Sequence, residues 1–181
     1  MWLWRKFHSV TQTFFELFSL NENFNIELDV LEHNYRKIQA EVHPDRFVTA
    51  SATEKLKSMQ LATLANEGFK TLKNPANRAK YILELHGIIA ISESNTAMPT
   101  EFLMQQMEWR EVLEDGTTNK SICILNDLLA EIKKEVYVLE RSLIDLIDIN
   151  KDYSAATDVT RKLIFMDKVS DDIKKSIDNI D

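Results

Sequence analysis

The sequence predicts an all-α fold in two parts, and three observations support this prediction. Glycine and proline are scarce, with three of each among 181 residues, and most stand where a helix should begin or end. Apolar residues recur at steps of three and four along most of the chain, as on one face of an α-helix. That periodicity is lost over residues 88–98, where polar residues cluster. We therefore expect an N-terminal domain over 1–87, a linker over 88–98 and a C-terminal domain over 99–181.

Composition excludes several classes of function. The chain has 22 Lys and Arg against 29 Asp and Glu, and a net charge of −7 argues against binding nucleic acid, whose phosphates need a basic surface. No apolar run is long enough to cross a bilayer, so we expect no membrane association. The single cysteine, Cys123, allows no internal disulfide and no Cys-x-x-Cys zinc site, and its apolar neighbours predict a small core residue. We expect no metal and no cofactor.

Residues 1–10 form a basic, aromatic start ahead of the first predicted helix. The segment is too short for a secretory signal, and no small-residue cleavage site follows an apolar core. An organelle-targeting remnant is the alternative, but we interpret these residues as an extension.

The first two helices carry different signals. A short apolar run predicts a helix over 13–20. The second helix opens at Asp29, where Glu32 completes a capping-box pattern. Pro44 has no N–H and its ring clashes with a preceding helical turn, so this helix must end before it. Steps of three and four predict one buried stripe, made of Leu31, Tyr35, Ile38 and Val42.

The third helix, over 51–72, begins with a second capping-box pattern at Ser51 and Glu54. Gly68 inside it costs about 1 kcal/mol against alanine, which predicts a tight helix contact at that point. The alternative is that the glycine is merely tolerated. A fourth helix over 76–85 follows an Asn-Pro pair and ends at a His-Gly pair. The inward candidates of the third helix are Leu56, Met59 or Gln60, Thr63 and Phe69.

Between the second and third helices, residues 41–47 read EVHPDRF. The residue before a proline is pushed out of the α region, which takes His43 off the helix path. The bend therefore presents an imidazole, a proline ring and the Asp45 carboxylate side by side. A His-Pro-Asp tripeptide alone is an ordinary turn in most proteins, so its flanks decide whether it is functional.

The C-terminal domain is predicted to be a three-helix antiparallel bundle. The first helix starts at 99 or 100 and should stop at Asp115 and Gly116, the second covers about 119–149, and the third starts near Ser154. The last two each carry an apolar stripe that needs a partner. The stripes are Ile124, Leu128, Ile132, Val136, Leu139, Leu143 and Ile147, and then Val159, Leu163, Met166, Val169, Ile173 and Ile177.

The first helix of the bundle has two apolar faces at about 100° per residue. One face consists of Phe102, Gln106, Trp109 and Leu113. The other consists of Leu103, Met104 and Met107, bordered by Glu108 and Glu111. One helix in a small bundle cannot readily bury both faces, so the second is typical of an exposed binding surface, where methionines adapt to a partner. Phe165 projects off the stripe of its own helix, and periodicity leaves open whether it packs or binds.

The order of these parts resembles the HscB family of iron–sulfur co-chaperones. The N-terminal part resembles a J-domain, a helical hairpin with flanking short helices, through FFELF at 14–18, YRKIQAEV at 35–42, the His-Pro-Asp loop and LANEGFKTLKNP at 64–75. More specific to HscB are RAKYIL at 78–83, FLMQQMEWRE at 102–111 and RKLIFMDK at 161–168. The resemblance covers most of the chain, from about residue 11 to residue 180.

This resemblance implies two protein partners. The J-domain would bind HscA, a DnaK-type chaperone, and stimulate its ATPase through His43, Pro44 and Asp45, helped by the basic Arg36, Lys37 and Arg46. The bundle would hold IscU, the scaffold on which iron–sulfur clusters are built, through Leu103, Met104, Met107, Glu108, Glu111 and Phe165. This second set largely coincides with the face found by helical geometry. We expect a monomer in the bacterial cytoplasm, with the mitochondrial matrix as the alternative.

The sequence departs from the family pattern in three places. Glu41 stands where J-domains often carry lysine, and Gln39 and Ala40 are uncharged, so attraction to an acidic ATPase surface should be weak and salt-sensitive. Met107 stands where leucine is common, a volume-conserving change. The N-terminal zinc-binding cysteines of some eukaryotic relatives are absent.

Three other functions compete with this interpretation. An enzyme would need a nucleophile, a phosphate-binding loop or metal ligands beside His43 and Asp45; the sequence supplies none, so we expect no catalysis. A general J-domain co-chaperone with a different client would often carry Gly/Phe-rich or zinc-ribbon regions, which this sequence lacks. A helical adaptor with an idle His-Pro-Asp loop would bind partners without stimulating an ATPase.

Overall fold

A computed structural model describes residues 12–91 and 98–180 of the chain. Within those residues the regular structure is helical throughout, with no strand, which confirms the all-α prediction. The extension predicted over 1–10 and part of the predicted linker lie outside the described residues. The helices are α1 (Phe14–Leu17), α2 (Leu28–Glu41), α3 (Ala52–Lys73), α4 (Pro75–Leu85), α5 (Thr100–Thr118), α6 (Ile122–Leu143) and α7 (Tyr153–Asp178), with a 3-10 turn at Pro44–Phe47 and a π-helical turn at Ile144–Ile149.

The chain forms two compact units, one ending at Arg78 and the next beginning at Ala79. This division falls inside α4, whereas the sequence suggested a boundary after residue 87, and the domain bounds therefore stay a prediction. The predicted C-terminal stop of α4 is present: Gly87 has φ +74°, and the N–H groups of Gly87 and Ile88 donate to the carbonyls of Glu84 and Leu83. These two bonds are those of a Schellman motif, which ends helices where glycine permits a positive φ.

The first unit is built on the packing of α1 and α2 against α3. Gly68 of α3 lies so close to α1 that an added Cβ would be 2.8 Å from Cδ1 of Phe14, which confirms the predicted tight contact. Between α2 and α3, Tyr35 stacks on Phe69 with ring centroids 4.1 Å apart. The hydroxyl of Tyr35 also donates to Oδ1 of Asn66 at 2.8 Å. Leu31, Ile38 and Val42 of the predicted stripe are buried, and Tyr35 is half-buried.

Two expectations for these helices are wrong. The second helix begins at Leu28 after Glu27, which makes no side-chain cap, so Asp29 is not a capping residue. The side chain of Glu32 instead pairs with two cations, Arg36 and Lys73. On α3 the inward candidates Leu56, Met59, Gln60 and Thr63 are exposed, and the buried residues are Ser58, Ala65, Gly68 and Leu72. At Gly68 the side chains of Phe14 and Phe18 occupy the space that a larger residue would need.

In the second unit, α5, α6 and α7 form the predicted bundle. Leu128, Ile132, Leu143 and Ile147 of the α6 stripe are buried, as are Leu163, Met166, Val169 and Ile173 of the α7 stripe. The expected stop at Gly116 is wrong, because α5 continues to Thr118. Gly116 is instead a contact residue, since an added Cβ would lie 2.8 Å from a methyl of the fully buried Leu125.

None of the described helices is both long enough and apolar enough to cross a bilayer. Cys123 is exposed on α6, and its Sγ lies 3.8 Å from Oδ2 of Asp127, so its placement in the core was wrong. The cysteine occupies the outer face of the helix because the apolar stripe of α6 passes through Leu125 and Leu128 instead.

Candidate functional sites

The His-Pro-Asp loop is held by both helices that flank it. The second helix ends with Val42 as its cap, and His43 leaves the helix path at φ −57° and ψ 133°. Pro44 then begins a 3-10 turn in which the N–H of Arg46 donates to the carbonyl of His43 at 3.0 Å. From α3, the buried hydroxyl of Ser58 donates to the carbonyl of Val42 at 2.9 Å. The loop is therefore anchored at the carbonyl immediately before His43.

His43 and Asp45 interact with each other while both remain open to solvent. The backbone N–H of Asp45 donates to Nδ1 of His43 at 3.4 Å, and the same nitrogen is 3.6 Å from Oδ2 of Asp45. Their side chains are 60% and 87% exposed. The arrangement suits contact with another protein.

Two of the three basic residues predicted to act with this loop already have hydrogen-bond partners. Arg36 donates to Glu32 at 2.9 Å, and a guanidinium nitrogen of Arg46 donates to the carbonyl of Ala40 at 3.3 Å. Lys37 is exposed. Hydrogen bonds from Lys73 and then from Arg36 lower the pKa of Glu32 below its ordinary value, because they favour the ionised carboxylate. Glu32 thus offsets part of the positive charge of α2.

The second predicted surface lies on α5. Phe102 and Trp109, which belong to the first of the two faces described from the sequence, are buried in the core of the bundle. On the other face, Leu103 is 44% exposed, Met104 59% and Met107 63%, and Glu108 and Glu111 beside them are also exposed. The geometry therefore groups five of the six predicted scaffold-binding residues on one uncovered side of the helix. We call these five residues the α5 face.

Phe165, the sixth residue, is packed rather than freely displayed. Its ring lies edge-on to Phe102 with centroids 5.7 Å apart and is stacked on Trp109 at 6.4 Å. The guanidinium of Arg110 lies 5.9 Å from the centroid of the same ring. Phe165 remains half-buried. Its ring contacts are with Phe102 and Trp109, the core-facing residues of α5, so Phe165 supports the inner side of that helix.

Sequence reasoning missed Ser58. A serine inside a mostly exposed stretch of helix carries no apolar signal, and its role depends on the carbonyl of Val42, which lies sixteen positions away in sequence. Among the described residues, no three His, Cys, Asp or Glu side chains come together to hold a metal ion.

Comparison with known proteins gives one family for nearly the whole chain. A co-chaperone protein HscB homolog of Paraburkholderia phymatum is 41% identical over 173 residues, covering 96% of this chain and 98% of the relative. The homolog of Ralstonia nicotianae is 41% identical over 174 residues, with 96% and 99% covered. The chain belongs to the HscB co-chaperone family. Residues 98–174 also match the model of the HscB C-terminal oligomerisation domain.

Solved HscB structures share this fold along almost the whole chain. The chaperone HscB from Vibrio cholerae superposes with a TM-score of 0.80 at 31% identity, covering 93% of this chain and 99% of that one. Human co-chaperone protein HscB superposes with a TM-score of 0.84 at 28% identity, covering 92% and 83%. The resemblance inferred from the sequence, a J-domain followed by a helical bundle of the HscB type, is confirmed.

Proposed function

We propose that this HscB-family chain is a co-chaperone of iron–sulfur cluster assembly that joins two proteins. Its bundle binds an IscU-type scaffold, and its His-Pro-Asp loop stimulates the ATPase of an HscA-type chaperone of the DnaK class. ATP hydrolysis belongs to that chaperone, and this chain has no catalytic role of its own. The bacterial relatives that match along nearly the full length support a cytoplasmic setting in a bacterium.

The observation that carries the proposal is the uncovered α5 face. Leu103, Met104 and Met107 expose apolar surface from a helix whose opposite side already fills the core. Contiguous exposed apolar surface with a polar rim is typical of a protein-binding site, and flexible methionines adapt to the surface they meet. Glu108 and Glu111 supply a charged rim, which favours a partner with complementary basic groups. Phe165 completes the set by supporting α5 through Phe102 and Trp109.

The exposed loop supports the second half of the proposal. His43, Pro44 and Asp45 extend from a backbone held by Ser58 at the Val42 carbonyl and by the bond from the Arg46 N–H to the His43 carbonyl, so little ordering is required when a partner binds. Arg36 and Lys37 on α2 and Arg46 in the loop itself carry positive charge, which would steer the loop to an acidic surface.

Calorimetric titration of the cognate IscU-type scaffold into the protein tests the first half. We expect Leu103→Ala/Met107→Ala to weaken binding at least about tenfold, or about 1.4 kcal/mol. The matched control is Leu56→Ala/Met59→Ala, which removes the same exposed side chains from α3. Equal affinity of wild type and the α5 variant would refute binding through this face. A wild type that stimulates the chaperone but binds no scaffold would favour a general J-domain co-chaperone with another client.

An ATPase assay with the cognate HscA-type chaperone tests the second half. We expect His43→Gln to abolish stimulation while scaffold binding and the thermal unfolding midpoint stay unchanged. His33→Gln, an exposed histidine on α2, is the control. If His43→Gln still stimulated, the loop would be idle and the chain would be a helical adaptor.

A further inference from the structure

A groove between α5 and α6 continues the α5 face. It has a volume of about 300 Å³ and opens to solvent beside Glu108, which belongs to both surfaces. Its lining combines apolar residues with three carboxylates and contains no Lys, Arg or His. The lining residues are Glu108, Trp109, Val112, Ile124, Asp127, Leu128 and Glu131.

No ion pair within the described residues includes a carboxylate of this groove. The pairs join α2 to α3 or lie within α2, within the His-Pro-Asp loop, within α4 and within α7, and Glu108, Asp127 and Glu131 belong to none of them. Nε1 of Trp109 donates to Glu131 at 2.8 Å, which fixes that carboxylate at the groove. Asp127 and Glu131 are spaced i and i+4, an arrangement in which like charges destabilise a helix. A cation placed between them would remove this repulsion.

We propose that the groove receives a lysine or arginine side chain of the bound scaffold. Val112, Ile124 and Leu128 give apolar surface for the aliphatic stem of such a side chain, while the carboxylates meet its charged end. A bare metal ion fits less well, because no three carboxylates of the described chain converge on one point. The proposal rests on the proposed function, since Glu108 brings the same bound protein to the α5 face and to the groove.

The test is calorimetric titration of the cognate scaffold into wild type and Asp127→Asn/Glu131→Gln at two salt concentrations. Removing both charges should weaken binding about tenfold at low salt and reduce the loss of affinity on adding salt, because fewer screened ion pairs remain. The charge-matched control is Asp145→Asn/Asp178→Asn, two exposed acids of the same unit outside the groove. That control should bind as wild type does at both salt concentrations.

A direct measurement of groove occupancy accompanies the titration. The indole N–H of Trp109 donates to Glu131 in the groove, so its NMR resonance should shift when scaffold is added, and an unshifted resonance with scaffold bound would overturn the groove proposal. If the double variant fails to fold, the single variant Asp127→Asn takes its place in both measurements, because it keeps the Trp109–Glu131 bond.

The outcomes separate the two proposals. If Leu103→Ala/Met107→Ala loses binding while Asp127→Asn/Glu131→Gln matches wild type in affinity and salt dependence, the groove proposal is overturned and the proposed function stands. If wild type itself binds no scaffold, both are overturned. A loss of affinity equal to that of Asp145→Asn/Asp178→Asn would show a general charge effect and would also overturn the groove proposal.

Discussion

Glu32 shows how one side chain links stability to pH. Lys73 at 3.2 Å and Arg36 at 2.9 Å lower its pKa below the ordinary value of 4.5. A carboxylate with a lowered folded-state pKa stabilises the protein above its unfolded pKa, and this contribution is lost as pH falls through the folded pKa. We therefore expect Glu32→Gln to lose less stability than wild type between pH 7 and pH 3.

Thermal unfolding at both pH values measures this difference. The control is Glu67→Gln, which changes an exposed glutamate on α3 that makes none of the described ion pairs. An identical pH dependence for wild type and Glu32→Gln would contradict the assigned role of the Lys73 and Arg36 contacts.

Gly68 is required by contact and not by backbone conformation. A Cβ there would lie 2.8 Å from Cδ1 and 3.1 Å from Cγ of Phe14. Gly68→Ala gains about 1 kcal/mol of helix propensity, but overpacking a core typically costs about 1–3 kcal/mol. We expect a net loss of about 1 kcal/mol in urea unfolding. A stabilised variant would mean that α1 moves aside freely.

At the scale of elements, α3 positions the loop through Ser58. Ser58→Ala leaves the carbonyl of Val42 without its buried donor, and such a loss costs about 1–3 kcal/mol. Because that carbonyl precedes His43, we expect weaker ATPase stimulation although no loop residue changes. The control is Thr63→Ala, whose hydroxyl bonds the carbonyl of Met59 on the exposed side of the same helix. If Ser58→Ala were destabilised but still stimulated the ATPase as wild type does, Ser58 would contribute to stability and not to the position of the loop.

The same elements show what could be predicted from sequence. The bend at Pro44 and the capping box of Ser51 and Glu54 follow from local chemistry, and both are present. The inner face of α3 was not predictable, because three of its four buried residues are Ser58, Ala65 and Gly68, which have no strong hydrophobic signal. At Asp29 a local pattern gave a wrong prediction. Asp29 and Glu32 match the capping-box sequence, yet the helix begins at Leu28, before Asp29.

The α5 face was predictable because it lies on one helix, where periodicity alone separates two sides. The groove was not, because it requires two helices to be placed side by side. Asp127 and Glu131 come from α6 and Glu108 from α5, and no spacing within the sequence relates them. Phe165 was left open for the same reason, since its packing depends on Phe102 and Trp109 of another helix.

At the scale of the whole molecule, the two surfaces belong to different compact units. The His-Pro-Asp loop lies in the unit that ends at Arg78, and the α5 face lies in the unit that begins at Ala79. Side chains that share no partners act independently on stability, so damage to one surface should leave the other intact. Delivery of a scaffold to a chaperone, however, requires both surfaces on a single chain.

This requirement predicts that the two surfaces cannot complement each other in trans. Wild type should raise the amount of scaffold captured by immobilised HscA-type chaperone. An equimolar mixture of His43→Gln and Leu103→Ala/Met107→Ala should not, although the mixture contains one intact copy of each surface. Covalent linkage raises the effective concentration of the second partner, and that advantage is absent when the surfaces are on separate molecules. Capture by the mixture at the wild-type level would show that the chain stimulates and binds but does not deliver.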